Sequence, residues 1–273
     1  RGGSCSLRQA ALAPIFRPDL PVPHQRPPYA SAIPHTVFDH ARAAFSAAGH
    51  TLENVRRDFP EWHLGRPRYA LWAVDVDLPP VRAAASAAAA HLNGLLLAGY
   101  QRQPHITLGL CGFPTPAPRL PDDFGPAALD AHLDALQALA PEPFDVHIAQ
   151  LASFTSAPFL AVLDAEGGIG RLRRALAGDS AEGSGPYTPH VTVGLYAGGW
   201  PVADVLARLD AFQAGPPLCC RIERINLMSY AAPEIGGRLA TLAEFSLADR
   251  RLHWHAAGAS SFQHTDADAH CPP

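Results

Sequence analysis

Hydrophobic positions along the chain fall into short blocks, and the spacing inside each block separates strands from helices. Tyr69–Leu78 is apolar and partly β-branched, and Pro79-Pro80 stops it, so it reads as a strand. Val81–Ala98 is rich in Ala and Leu and predicts a helix ending near Gly99. Gln103–Cys111 predicts a second strand and Gly112–Gly125 a Pro-rich loop. Ala127–Leu139, with Leu129, Leu133, Leu136 and Leu139 on one stripe, predicts a helix. Phe144–Leu151 and Phe159–Leu163 read as strands joined by a turn at Ser156-Ala157-Pro158. The order then returns. Ile169–Leu176 predicts a helix exposing Arg171, Arg173 and Arg174, and Gly178–Pro186 a polar, glycine-rich loop. Pro189–Tyr196 predicts a strand, Val202–Phe212 a helix, and Cys220–Ser229 and Leu239–Ser246 the closing strands.

This repetition implies an α+β fold with two pseudo-symmetric lobes, each an antiparallel sheet with helices, around a central cleft. Pro14, Pro18, Pro21, Pro23, Pro27 and Pro28 exclude regular structure from residues 1–30, while 35–48 fits one short helix. Glu61–Gly65 reads as a turn into the core. The expected organisation is a Pro-rich N-terminal extension over 1–60, one main domain over 61–250, and a disordered, low-complexity tail over 251–273.

Composition narrows the class. Of 273 residues, 48% are hydrophobic and 17% charged, which supplies a large core and excludes a disordered polyelectrolyte. The net charge of −4 lacks the basic excess of a protein that coats long nucleic acid. Five cysteines, two of them adjacent (Cys219 and Cys220) and none in C-x-x-C spacing, argue against a disulfide framework or a zinc site. A reducing cytoplasm is the expected location. The longest apolar run, Ala83–Ala98, is broken by Ser86, His91, Asn93 and Gly94 and is too short to span a membrane. Arg1-Gly2-Gly3-Ser4 shows no signal peptide, and without an initiator Met the chain is expected to be a fragment or a processed product.

Two segments carry the chemistry: Pro104-His105-Ile106-Thr107-Leu108-Gly109-Leu110 and Pro189-His190-Val191-Thr192-Val193-Gly194-Leu195. On a strand, residues i and i+2 share a face, so His105 with Thr107, and His190 with Thr192, oppose the aliphatic positions. Two imidazoles facing one groove provide a general acid and a general base near neutrality, and two hydroxyls beside them bind phosphate oxygens. That set suits in-line attack at phosphorus without a metal or any other cofactor. A lone His-x-Thr on a strand is usually structural; two copies in matched contexts are harder to dismiss. Arg102 is a candidate phosphate partner, and Tyr187 and Phe154 are candidates for stacking on a base. The ligand-type residues of the tail, such as His253, His255, His264 and Cys271, are expected to hold no metal. Asp75 and Asp77 read as a solvated face.

The paired motifs resemble those of the 2H phosphoesterase superfamily, which includes 2′-5′ RNA ligase-like proteins and cyclic phosphodiesterases. The resemblance covers about residues 66–248. It implies a bilobal cleft and hydrolysis of a 2′,3′-cyclic phosphate or a related phosphodiester at a nucleotide or RNA end. It also implies His105 as acid and His190 as base, although the residues alone leave these two roles open. Some members carry an Arg shortly after the second motif; this chain has Val193-Gly194-Leu195-Tyr196 there. The alternatives are a reversible 2′-5′ RNA ligase and a non-catalytic module that binds a nucleotide or RNA end. The expected partner is that ligand, with no membrane, and the expected assembly is a monomer.

Overall fold

A computed structural model describes residues 36–177, 187–256, 258–259 and 262. The stretch expected to be irregular (1–30), the glycine-rich loop at 178–186 and most of the tail lie outside these residues. In chain order the first elements are α1 (Thr36–Ala47), α2 (Pro60–His63), β1 (Arg68–Asp75), α3 (Pro79–His91), β2 (His105–Pro114) and β3 (Asp123–Phe124). There follow α4 (Pro126–Leu139), β4 (Phe144–Ser153), β5 (Pro158–Leu163), α5 (Gly168–Ala177) and β6 (His190–Thr192). The chain closes with α6 (Val202–Ala211), β7 (Leu218–Ile222), β8 (Arg224–Ala231), β9 (Ala240–Ser246) and β10 (Leu252–Trp254).

The strands form two sheets, in the orders β10-β9-β8-β1-β2-β3 and β6-β5-β4-β7. Every pairing is antiparallel except the short parallel contact between β2 and β3. The fold is therefore α+β and two-lobed, with unequal lobes. One face of each sheet feeds a shared core. Trp72, Val74, Ile106 and Leu108 come from the first sheet; Val146, Ile148, Leu160, Val191 and Val193 come from the second lobe. The opposite face of β1 presents Tyr69, Leu71 and Ala73, which pack with Met228 and Tyr230 beneath Trp62. The opposite face of the second sheet presents Ala152, Phe159 and Ala161 to Ala41 of α1 and to Phe154.

Several boundaries differ from the sequence pattern, each for a local reason. The predicted helix 81–98 stops at His91, because the chain turns through Asn93 and Gly94 (φ +88°). Leu95–Leu97 then run beside 195–197, with Leu97 donating to Leu195 O at 2.7 Å and Ala197 to Leu95 O at 2.9 Å. Pro79 and Pro80 begin α3, where a proline's missing N–H costs nothing. The predicted closing strand 220–229 is two strands in different sheets: β7 pairs with β4 and β8 with β1. Strand β2 runs on to Pro114 because Gly112 (φ +118°) lets its backbone approach β3; a Cβ there would lie 2.3 Å from Asp122 O. Strand β6 has only three residues, because after Thr192 the chain leaves β5 for the 95–97 segment. The start of the tail is ordered: β10 pairs with β9, and Phe262 is buried against Phe124 and Trp254.

The segment before β1 is also integrated. Ala41 and Phe45 of α1 are buried, and Arg42 pairs with Asp210 of α6 at 2.8 Å. Thr51 donates to Trp200 O and Leu52 to Thr155 O at 2.9 and 2.7 Å. Among the described residues, no helix is long and apolar enough to cross a membrane.

Candidate active site

The two His-x-Thr segments end up on facing strands. Pairing of β1 with β2 sets His105 opposite Asp75, and pairing of β5 with β6 sets His190 opposite Ala161. The alternation holds at both: Ile106, Leu108, Val191 and Val193 enter the shared core, while His105, Thr107, His190 and Thr192 line one cavity of about 140 Å³. Arg102, Phe154 and Tyr100 line it as well.

Each imidazole is held in the same way. His105 Nδ1 lies 2.8 Å from Gln103 O, and His190 Nδ1 lies 2.8 Å from Thr188 O. A carbonyl oxygen only accepts, so each Nδ1 carries the proton and donates it. In the neutral ring the lone pair is therefore left on Nε2. Both side chains are buried, at 6% exposure each. Burial pushes His105 down to about 3, with Arg102 and His190 adding to the depression. Burial pushes His190 down to about 4, with Arg173 adding. Both rings are thus neutral at pH 7, and the two lie near enough for their charges to interact.

An Arg–Tyr stack stands beside each histidine. Arg102 places its guanidinium 4.2 Å from the centre of the Tyr230 ring and donates from Nε to Gly237 O at 3.2 Å. Arg173 sits 3.5 Å over Tyr187 and donates to Leu108 O at 2.6 Å. Tyr187 donates its hydroxyl to Thr107 O at 2.6 Å and so links the approach to β6 with β2. Tyr187 is thereby tied to the β2 backbone. Phe154 meets His190 edge-on at 5.0 Å and stacks on Phe159 at 4.3 Å, buttressing the imidazole from the cavity side.

Arg171 and Arg174 are exposed, as the sequence suggests, but Arg173 is half-buried. Residue alternation alone did not separate it from its neighbours, because helical position rather than charge decides which Arg faces the strands. Tyr100 is a second unanticipated member. It lines the cavity together with Thr192, and burial raises its phenol. Its placement depends on Gly236 (φ +70°), where a Cβ would come within 2.8 Å of the Tyr100 ring. The stretch after the second motif is core here: Leu195 and Tyr196 are buried, and the Tyr196 hydroxyl pairs with Ser153 Oγ at 2.6 Å. Asp75 is exposed and Asp77 pairs with Arg82 at 2.9 Å, so both remain outside the cavity. Among the described residues, no group of three or more His, Cys, Asp or Glu is arranged to hold a metal ion.

None of the curated proteins compared with the chain matches it. Among solved structures, TT0787 of Thermus thermophilus is 22% identical with a TM-score of 0.42, covering 66% of this chain and 97% of that one. E. coli LigT complexed with 3′-AMP is 16% identical with a TM-score of 0.43, covering 67% of this chain and 98% of that one. Likenesses this distant carry no residue-level correspondence. The model of the 2′-5′ RNA ligase superfamily matches residues 75–234, more than half of the chain and a span that contains both His-x-Thr segments. The chain belongs to that superfamily of 2H phosphoesterases.

Proposed function

We propose that the protein is a phosphodiesterase that opens a 2′,3′-cyclic phosphate, or cleaves a related phosphodiester at a nucleotide or RNA end, with His105 and His190 as the acid–base pair. The observation that carries this reading is the matched state of the two rings. Each donates Nδ1–H to a carbonyl two residues back and keeps Nε2 as its exchangeable nitrogen, in one cavity with two threonine hydroxyls.

In this reading Thr107 and Thr192 donate to the non-bridging phosphate oxygens and Arg102 offsets their charge. One neutral imidazole accepts a proton from water at Nε2 as the water oxygen bonds to phosphorus. The other, protonated at Nε2, donates its proton to the ribose oxygen as the P–O bond breaks. One water is consumed and a nucleoside monophosphate is formed. Positioned proton transfer of this kind contributes about 10²–10⁴-fold.

The acid needs a proton that neither buried ring holds at neutral pH. The phosphodiester anion supplies the reason to take one up, because a negative charge beside a buried imidazole favours its charged form. Burial lowers both rings in the same direction, so either can be the donor, and the family resemblance assigns that role to His105. Ligation is the same displacement with a different nucleophile: a 5′-hydroxyl attacks the cyclic phosphate in place of water and loses its proton to the base, while a ring P–O bond breaks and the released ribose oxygen takes the acid's proton.

The test is incubation of the four 2′,3′-cyclic nucleotides with the protein in excess EDTA, followed by phosphorus NMR. The expected result is one nucleoside monophosphate, either the 2′ or the 3′ isomer. Unchanged cyclic phosphate with all four, and with an RNA ending in a cyclic phosphate, would sink the proposal.

A further inference from the structure

The segment that precedes the family-matched region runs from one lobe to the other and forms part of the cavity wall. Asn54 anchors it to the second lobe: its buried side-chain amide donates to Ser156 O at 2.9 Å and Tyr196 O at 3.0 Å. Arg66 anchors the other end to the first lobe, donating to Asp122 at 2.6 and 3.0 Å and to Asp123 at 2.8 Å. The Arg66 guanidinium also lies 3.5 Å over the Phe113 ring. Between the anchors, His63 Nε2 meets Asp58 at 2.8 Å, and Gly65 N–H donates to His63 Nδ1 at 3.0 Å. The strap is thus fixed at both ends and stapled in the middle.

Its middle contributes Phe59 and Trp62 to the same cavity as His105 and His190. Trp62 is committed to packing against Tyr69 and Phe113, at 5.2 and 5.0 Å between ring centres. Phe59 is half-buried and carries the Arg57 guanidinium 3.8 Å from its ring centre. The neighbouring wall is apolar, with Leu71, Leu110 and Ile235. Among the described lining residues the single cation is Arg102, and Glu234 stands on the same wall. A groove that tracks nucleic acid needs a succession of cations along the backbone. This cavity offers one cation, the hydroxyls of Thr107, Thr192, Ser156, Tyr100 and Tyr230, and aromatic and aliphatic side chains.

We propose, building on the phosphodiesterase reading above, that the strap restricts the site to substrates of mononucleotide size, a nucleoside 2′,3′-cyclic monophosphate, and that Phe59 is the specificity residue that stacks on the base. The phosphate occupies the His–Thr end, the base lies against the strap, and a polynucleotide extended from the 5′ side is excluded by the wall that joins the lobes.

The experiment compares the full chain with Phe59→Ala and Phe59→Tyr. Substrates are 2′,3′-cyclic AMP and a ten-nucleotide RNA ending in a 2′,3′-cyclic phosphate. Equilibrium binding of 3′-AMP and of inorganic phosphate is measured in parallel. The parent is expected to favour cyclic AMP in kcat/KM by more than tenfold. Phe59→Ala is expected to raise KM for cyclic AMP and weaken 3′-AMP binding, each by about tenfold, the size of a lost base–aromatic stack. Its kcat and its phosphate affinity stay unchanged, and Phe59→Tyr, which keeps the ring, restores the parent values. Equal turnover of the two substrates by the parent, or a Phe59→Ala variant with unaltered KM and 3′-AMP affinity, would overturn the inference while leaving the phosphodiesterase reading intact. If neither substrate is hydrolysed, the phosphodiesterase reading fails. The binding arm then decides alone: a tenfold loss for 3′-AMP but not phosphate upholds the base contact, and no loss overturns it.

Discussion

The two buried, neutral histidines make the stability of the protein depend on pH in a calculable way. Their folded-state pKa values are depressed, to about 3 for His105 and about 4 for His190, from 6.5. Above pH 6.5 neither the folded nor the unfolded state holds protons on these rings, and their burial has no pH cost. As pH falls below 6.5 the unfolded chain takes up protons that the folded site refuses, so stability is lost until the folded values are reached. At pH 5 the loss is about 2 kcal/mol for each histidine, from 1.36 kcal/mol for each pH unit below 6.5. His105→Asn and His190→Asn each keep an N–H donor near the Nδ1 position and remove the titration. Urea denaturation followed by tryptophan fluorescence, at pH 7 and pH 5, reads the effect. Carboxylates titrate alike in parent and variants, so the difference isolates the imidazole. The parent is expected to lose about 2 kcal/mol more than each variant between the two pH values. Saturating inorganic phosphate at pH 5 is expected to recover part of that loss, because the anion favours imidazolium and binds only the folded state. Equal pH dependence in parent and variants would refute the buried, neutral assignment.

Two further substitutions probe how the site is held together. Tyr187→Phe deletes the 2.6 Å hydrogen bond to Thr107 O; it is expected to cost about 1–3 kcal/mol in chemical denaturation because the carbonyl stays buried, and to lower kcat/KM by misplacing Thr107. Gly236→Ala adds a Cβ 2.8 Å from Tyr100 at φ +70°; an expected cost of about 1–3 kcal/mol should accompany a raised KM for the cyclic nucleotide. A Gly236→Ala enzyme with parental KM would show that the position of the Tyr100 ring plays no part in substrate binding.

The sequence carried the site through one strong feature, the duplicated His-x-Thr segments. Strand alternation then forces His and Thr to one face and Ile106, Leu108, Val191 and Val193 to the other, and the structure keeps that alternation at both. Helices α4 and α6 were readable because their apolar stripes continue to their ends. The overlong helix at 81–98 illustrates a limit. Leu95–Leu97 look helical by composition, yet Gly94 turns the chain and the partner strand at 195–197 lies about a hundred residues away. The split of 220–229 between two sheets has the same origin, since the apolar positions Ile222, Ile225 and Leu227 do not state which sheet each half joins. Arg173 and Tyr100 were unreadable because their roles come from packing across elements. So was the strap: no local pattern at Asn54 announces a buried amide bonded to Ser156 and Tyr196.

The measurement that decides most is kcat/KM for a 2′,3′-cyclic nucleotide in the parent, His105→Ala, His190→Ala and the double variant. If the two imidazoles act as one proton-transfer pair, each single variant falls by about 10²-fold or more. The double variant then falls little further, because residues that act as a unit are not additive. Turnover that persists in either single variant at the parental rate would contradict the pairing of His105 and His190.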